Sequence, residues 1–151
     1  MVIFEQINND LKEAMKARDK DKLEALRNIK KEMIEARAAK GAGSELTDEV
    51  SLKIIAKLAK QGADSAAIYK EQGRDDLYRQ EITQVNVYES YLPEKISDDE
   101  LTRAVKSIID RTGATSMKDM GKVMGIATKE LAGKADGKDI ADNVKSLLSQ
   151  F

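Results

Sequence analysis

Lysines alternate with glycines in one stretch near the carboxyl end of the chain, "MKDMGKVMGIATKELAGKADGK", which covers residues 117–138. Ammonium groups bind phosphates through their charge, and a glycine lets another backbone approach a helix closely. The stretch could therefore bind a nucleic-acid backbone or a neighbouring helix. It lacks the G-x-x-x-x-G-K-[ST] pattern of a phosphate loop, and its "GKADG" follows a predicted helix and not a strand.

The lysines share one side if residues 117–132 form a single helix. At about 100° per residue, Lys118, Lys122 and Lys129 point within about 40° of one another. The turn that follows the helix adds Lys134 and Lys138 near the same end. The opposite side is apolar and predicts a core face, formed by Met120, Val123, Met124, Ala127 and Leu131. The candidate nucleic-acid-binding residues are Lys118, Lys122, Lys129, Lys134 and Lys138.

Small residues form a third side of this predicted helix, beside the lysines. They are Gly121, Gly125, Thr128 and Ala132, and Gly133 is suited to end the helix in the left-handed conformation. Each glycine inside a helix costs about 1 kcal/mol relative to alanine, so a compensating interaction is expected. Close packing against another helix is one interpretation, and spacing alone favours it. Approach of a nucleic-acid backbone is the other, and the two can coexist.

Catalytic side chains are scarce. The chain has no histidine and no cysteine, which excludes a Ser-His-Asp triad, a thiolate nucleophile and the commonest metal ligands. Paired acidic residues stand at the first turns of predicted helices, where they complement the helix dipole. Tyr78, Tyr88 and Tyr91 fit core or domain-interface packing better than base stacking. We therefore expect no catalytic residue, no metal, no cofactor and no autonomous enzymatic activity.

The composition predicts an all-α protein, since apolar residues recur at helical spacing in seven segments and proline occurs once. Four helices are expected in an N-terminal domain, residues 1–92, and three in a C-terminal domain, residues 93–151. The boundary lies in "YLPEKISDDE". Gly62 is expected to interrupt the third helix, and Thr47, Ser97 and Ser116 are expected to cap helices. The apolar faces are expected to include Met15 and Phe151.

Net charge is −1, so overall charge does not attract nucleic acid or membrane, and any such surface must come from local segregation of charge. The first residues lack the features of a signal peptide, and no segment has the roughly 20 apolar residues of a membrane span. We expect a cytoplasmic protein that does not bind membranes.

The motifs "MGKVMG", "GKADG" and "NVKSLL" resemble those of the GatB/YqeY family, and "ALRNIKKEMIEA" and "YESYLPEKISDDEL" resemble its YqeY-like members. The resemblance covers nearly the whole chain. It includes the all-helical tail domain that YqeY-like proteins share with the GatB component of the aspartyl/glutamyl-tRNA amidotransferase. The matching positions are Gly121, Lys122, Met124, Gly125, Gly133, Lys134, Ala135 and Asp136. One departure is "KQGADS", where a more basic stretch is expected.

The resemblance implies an accessory protein that binds tRNA or another RNA, because the amidotransferase tail helps to hold tRNA while other domains perform the chemistry. The family label, a carbon–nitrogen ligase with glutamine as amido-N-donor, would then apply by homology and not to this chain alone. A protein-interaction module is the alternative, with a partner helix in the Gly121/Gly125 notch. That partner would belong to aminoacyl-tRNA metabolism. An amidotransferase-like enzyme is the third and least favoured hypothesis.

Overall fold

The structure is a computed structural model that describes residues 2–41 and 45–151. Within these ranges it contains seven α-helices, one 3₁₀ turn and no strand, which confirms the predicted all-α class. The helices are α1 (Val2–Ala17), α2 (Lys20–Lys40), α3 (Asp48–Glu71), α4 (Asp75–Glu89), α5 (Asp98–Thr112), α6 (Met120–Glu130) and α7 (Gly137–Leu148), and the 3₁₀ turn is Met117–Asp119. The chain divides into two compact units, Met1–Leu92 and Pro93–Phe151.

Side-chain caps fix where several helices begin. Thr47 accepts a hydrogen bond from the Val50 N–H at the start of α3, and Ser97 accepts one from the Glu100 N–H at the start of α5. Each bond satisfies one of the amides that a helix leaves unpaired in its first turn. The predictions for Thr47 and Ser97 are confirmed.

The first unit is built around a core that α1, α2, α3 and α4 share. Helix α1 packs against α2, and α2 and α3 both pack against α4. Ile7, Leu26, Ile29 and Ile55 have no exposed surface. Met15, expected on the core side of α1, is instead 58% exposed, because Ala14 takes the buried position.

Helix α3 runs without interruption past Gly62, so the predicted break there is wrong. Gly62 is buried, and a Cβ at this position would lie 2.7 Å from Val85 Cγ2 on α4. Carbon atoms in ordinary contact are about 3.5–4.0 Å apart. Gly62 therefore serves close packing of α3 against α4, and this contact offsets the low helix propensity of glycine.

The second unit is a three-helix arrangement of α5, α6 and α7. Its core consists of residues with little or no exposed surface, namely Leu101, Val105, Ile108, Ile109, Ala114, Val123, Ala127, Leu131, Ile140, Val144, Leu147 and Leu148. Phe151 is 70% exposed and lies outside this core, so its predicted place on the apolar face of α7 is wrong. The reason is that α7 ends at Leu148, and the helical spacing that would carry Phe151 onto that face ends with it.

Candidate nucleic-acid interface

The lysine- and glycine-bearing stretch folds as three pieces and not as the single predicted helix of residues 117–132. Ser116 accepts a hydrogen bond from the Lys118 N–H and begins the 3₁₀ turn, which places Ser116 as a cap as predicted. The α-helix α6 begins at Met120 and ends at Glu130. Residues beyond Leu131 form a turn in which Gly133 has a φ of 76°, the left-handed conformation expected of it.

The core side of α6 is as predicted from helical spacing. Val123 and Ala127 have no exposed surface, and Leu131 is 6% exposed. Met120 and Met124 are half-buried against the same core. This side fixes the rotation of α6 and thereby determines which residues face away from the unit.

Gly121 and Gly125 face open space. Apart from adjacent residues and the backbone of α6 itself, a Cβ built on either glycine would meet no atom of the described residues within 4 Å. Packing by another helix of this chain, which spacing alone favoured, is therefore not seen at these two positions. Approach by a partner molecule stays a prediction.

Of the other small residues, Thr128 lies on α6 with the two glycines, whereas Ala132 and Gly133 do not. Thr128 is half-buried, and its hydroxyl donates to the Met124 carbonyl oxygen at 2.8 Å and lies 3.4 Å from the Gly125 carbonyl oxygen. Ala132 and Gly133 belong to the turn after α6.

The five predicted lysines are all exposed, and none forms an ion pair within the described residues. Lys122 and Lys129 lie on α6 seven residues apart, which places them on one side of it. Lys118 lies on the 3₁₀ turn, Lys134 on the turn after α6, and Lys138 at the start of α7. We call these five residues the lysine surface.

The acidic residues of the same stretch are engaged by other groups. Asp119 accepts a hydrogen bond from the Thr115 N–H at 3.0 Å. Asp136 Oδ1 lies 3.6 Å from Lys95 Nζ. The Glu130 carboxylate pairs with both terminal nitrogens of Arg111, and this hydrogen bonding holds the pKa of Glu130 below its usual value. Because these three carboxylates bind other groups, none of them is paired with a lysine of the lysine surface.

Tyr88 and Tyr91 pack in or against the core of the first unit, as predicted, whereas Tyr78 lies outside it. Tyr88 is 3% exposed, and its hydroxyl accepts a hydrogen bond from Asn28 Nδ2. Tyr91 is half-buried and its hydroxyl donates to Asp10. Lys70 Nζ lies 5.6 Å from the ring centre of Tyr78.

Two surface clefts are lined by residues outside the lysine surface. One, of about 350 Å³, lies between α2 and α3 and is lined by Glu32, Glu35, Ala36, Ile54, Lys57, Leu58 and Gln61. The other, of about 290 Å³, is lined by Lys106, Ile109, Asp110, Leu147, Gln150 and Phe151. Neither includes a residue of the lysine surface or either open glycine of α6.

Among residues 2–41 and 45–151, no group of three or more acidic side chains is arranged to hold a metal ion. No helix in the described part of the chain is long and apolar enough to span a membrane.

Comparison with known proteins identifies the family. The model of the Yqey-like protein family matches residues 4–148. The chain belongs to the YqeY-like family. It is also 27% identical over 150 residues to a protein named "Altered inheritance of mitochondria protein 41, mitochondrial" from Pyrenophora tritici-repentis, a match that covers 97% of this chain and 81% of that protein. The matched range of the YqeY-like family includes nearly all of both units and the whole lysine surface.

Three features of this YqeY-like chain escaped prediction from the sequence. They are the close packing at Gly62, the Arg111–Glu130 pair and the contacts of Lys95 with the turn after α6. Arg111 and Glu130 are 19 residues apart, so no helical spacing links them. Gly62 could have been found, because a glycine within an otherwise regular helical pattern indicates close approach of a neighbour.

Proposed function

We propose that this chain is an accessory RNA-binding protein that holds tRNA through the lysine surface. The observation that carries the proposal is the separation of charge between residues 117 and 138. The lysines there are exposed and unpaired within the described residues, whereas Glu130 and Asp136 are paired with cations from elsewhere in the unit. Exposed, unpaired ammonium groups are the ones that phosphates can reach.

The open side of α6 supports the same function. Glycine leaves the helix backbone uncovered, so a sugar-phosphate backbone could approach beside Gly121 and Gly125 while lysines contact its phosphates. Such contacts position an RNA without selecting its sequence. The proposal gives the chain no catalytic step. It assigns amide transfer to other proteins, as the resemblance to the amidotransferase tail implies, and it keeps the cytoplasmic location expected from the sequence.

The test is a titration of tRNA at low salt with wild type and with Lys122→Glu/Lys129→Glu. Each phosphate contact contributes roughly 0.7–0.9 to the slope of log affinity against log salt concentration. We expect the variant to bind at least tenfold more weakly and its slope to fall by about 1.4–1.8.

The matched control is Arg103→Glu/Lys106→Glu, which makes the same charge change on α5 at two exposed residues. It should retain more of the wild-type affinity than the α6 variant. Equal losses in both variants would mean that overall charge and not the lysine surface binds RNA. Absence of binding by wild type would refute the proposal.

A protein-interaction module is the second candidate, and the same open glycines favour it. The partner would be a helix from a protein of aminoacyl-tRNA metabolism, packed against Gly121 and Gly125. Gly125→Leu separates the candidates, because its side chain enters open space and should not lower thermal stability. Loss of a protein partner with unchanged tRNA affinity would support the interaction module, and loss of tRNA affinity would support RNA binding.

A further inference from the structure

The segment that begins the second unit contacts the turn after α6. The Ile96 N–H donates to the Lys134 carbonyl oxygen at 3.0 Å, between residues far apart in the sequence. The neighbouring Lys95 Nζ lies 3.6 Å from Asp136 Oδ1. Ile96 is half-buried against the core of this unit, which anchors the segment. We call these contacts, made by Lys95, Ile96, Lys134 and Asp136, the boundary contact.

The boundary contact fixes the backbone of a lysine that lies outside any helix. The Lys134 N–H donates to the Leu131 carbonyl oxygen at 2.9 Å, and the Lys134 carbonyl oxygen accepts a hydrogen bond from the Ile96 N–H. Both backbone polar groups of Lys134 are therefore engaged. Gly133, with its positive φ, directs the chain into this conformation. Lys122 and Lys129, by contrast, are positioned by α6 itself.

We propose that Lys95, Ile96 and Asp136 are positioning residues, which hold Lys134 at a fixed distance from the lysines of α6 so that all contact phosphates of one RNA. This inference rests on the proposed function. The physical reason is entropy, because a lysine on an unfixed turn must be ordered when it binds and contributes correspondingly less.

Asp136→Asn distinguishes positioning from simple electrostatics by the sign of its effect. The substitution removes a negative charge beside the lysine surface, so electrostatics alone predicts tighter RNA binding and a slope that does not fall. Positioning predicts the opposite. The ion pair with Lys95 is lost, the hydrogen bond from Ile96 to Lys134 is weakened, and the slope falls by up to about 0.7–0.9, the value of one phosphate contact.

The experiment uses the full chain and tRNA, with affinity measured as a function of salt. We expect Asp136→Asn to bind about twofold to fivefold more weakly than wild type, and Asp136→Glu, which keeps the charge, to restore binding. Lys134→Ala should lower the tRNA affinity of wild type. Added to Asp136→Asn, it should leave the tRNA affinity almost unchanged, since the effects of coupled residues are not additive. Tighter binding by Asp136→Asn, or full additivity with Lys134→Ala, would overturn the inference.

Hydrogen exchange of the Ile96 amide provides a readout that does not depend on RNA. This amide should exchange about twofold to fivefold faster in Asp136→Asn, with the Val105 amide in the core unchanged. An unchanged Ile96 amide would show that the Lys95–Asp136 ion pair does not support the hydrogen bond from Ile96 to Lys134, and would overturn the inference while leaving tRNA binding by wild type in place. If wild type fails to bind tRNA, the proposed function is overturned, and so is the role of the boundary contact in RNA binding.

Discussion

At the scale of single residues, two glycines inside helices have opposite surroundings. Gly62 faces Val85 Cγ2 across a gap that a Cβ would reduce to 2.7 Å, whereas Gly125 faces open space. Valine has a stiff χ1 angle, so Val85 cannot easily turn away from an added methyl group. The same substitution should therefore destabilise the protein at Gly62 and stabilise it at Gly125.

We predict that Gly62→Ala lowers the free energy of unfolding by about 1 kcal/mol. Overpacking costs about 1–3 kcal/mol, which the higher helix propensity of alanine offsets by about 1 kcal/mol. Urea denaturation measures the change. The matched control, Gly125→Ala, should raise the free energy of unfolding by about 0.5–1 kcal/mol. Gly62→Ala should cost less in a Val85→Ala background than in wild type, a coupling that a double-mutant cycle measures, and a stabilising effect of Gly62→Ala alone would contradict the close contact.

At the scale of helices, α4 presents a carboxylate to the α2 and α3 side of the first unit. Glu81 on α4 has a raised pKa, caused first by burial and second by the charge of Glu24 on α2. Its Oε2 lies 3.7 Å from the position of a Cβ on Gly62 of α3. The charged form of Glu81 is therefore less favourable in the folded protein than in the unfolded chain.

We predict that Glu81→Gln raises the melting temperature at pH 7 and has less effect as the pH falls toward about 4.3, the ordinary pKa of glutamate. A raised folded pKa means that the folded state binds protons more readily. Stability is therefore lost as the pH rises from the unfolded value through the folded value, and the glutamine removes that loss. Glu71→Gln, at an exposed position on α3, is the control. A pH-independent difference would contradict the raised pKa.

The helices themselves could largely be predicted, because their caps and apolar spacing are local in the sequence. Thr47 and Ser97 needed only the identity of nearby residues. The failures arose where a distant element decides the outcome. Gly62 looks like a helix breaker until Val85 is placed against it, and that contact joins residues on different helices. Lys118 lies on the 3₁₀ turn before α6, so its position relative to the lysines of α6 does not follow from a uniform rotation per residue.

At the scale of the whole molecule, each unit has a hydrophobic core of its own. We predict that Ile108→Ala, at a residue 1% exposed in the second core, lowers the stability of residues 93–151 by about 2–5 kcal/mol. Amide hydrogen exchange measures this residue by residue. Protection in the first unit should be unchanged, with Ile29→Ala as the reciprocal variant. Equal loss of protection in both units would show a single cooperative structure.

The candidate site was predictable in composition but not in its electrostatics. The lysines could be named from their spacing, yet acidic residues balance the basic ones across the chain, and net charge is −1. Which charges remain unpaired depends on contacts such as Arg111–Glu130 and Lys95–Asp136, whose partners are far apart in the chain. Only the structure of the second unit shows that the five lysines form no ion pair within the described residues.

The contact between α3 and α4 has a consequence for the evolution of this family. Because a Cβ on Gly62 would enter the volume that Val85 occupies, the residue at position 62 can become larger only if the residue at position 85 becomes smaller. Relatives with alanine or serine at the position of Gly62 should carry a smaller residue at the position of Val85. The two positions should therefore co-vary in an alignment, and the order in which such substitutions arise is constrained, since the smaller residue on α4 must come first.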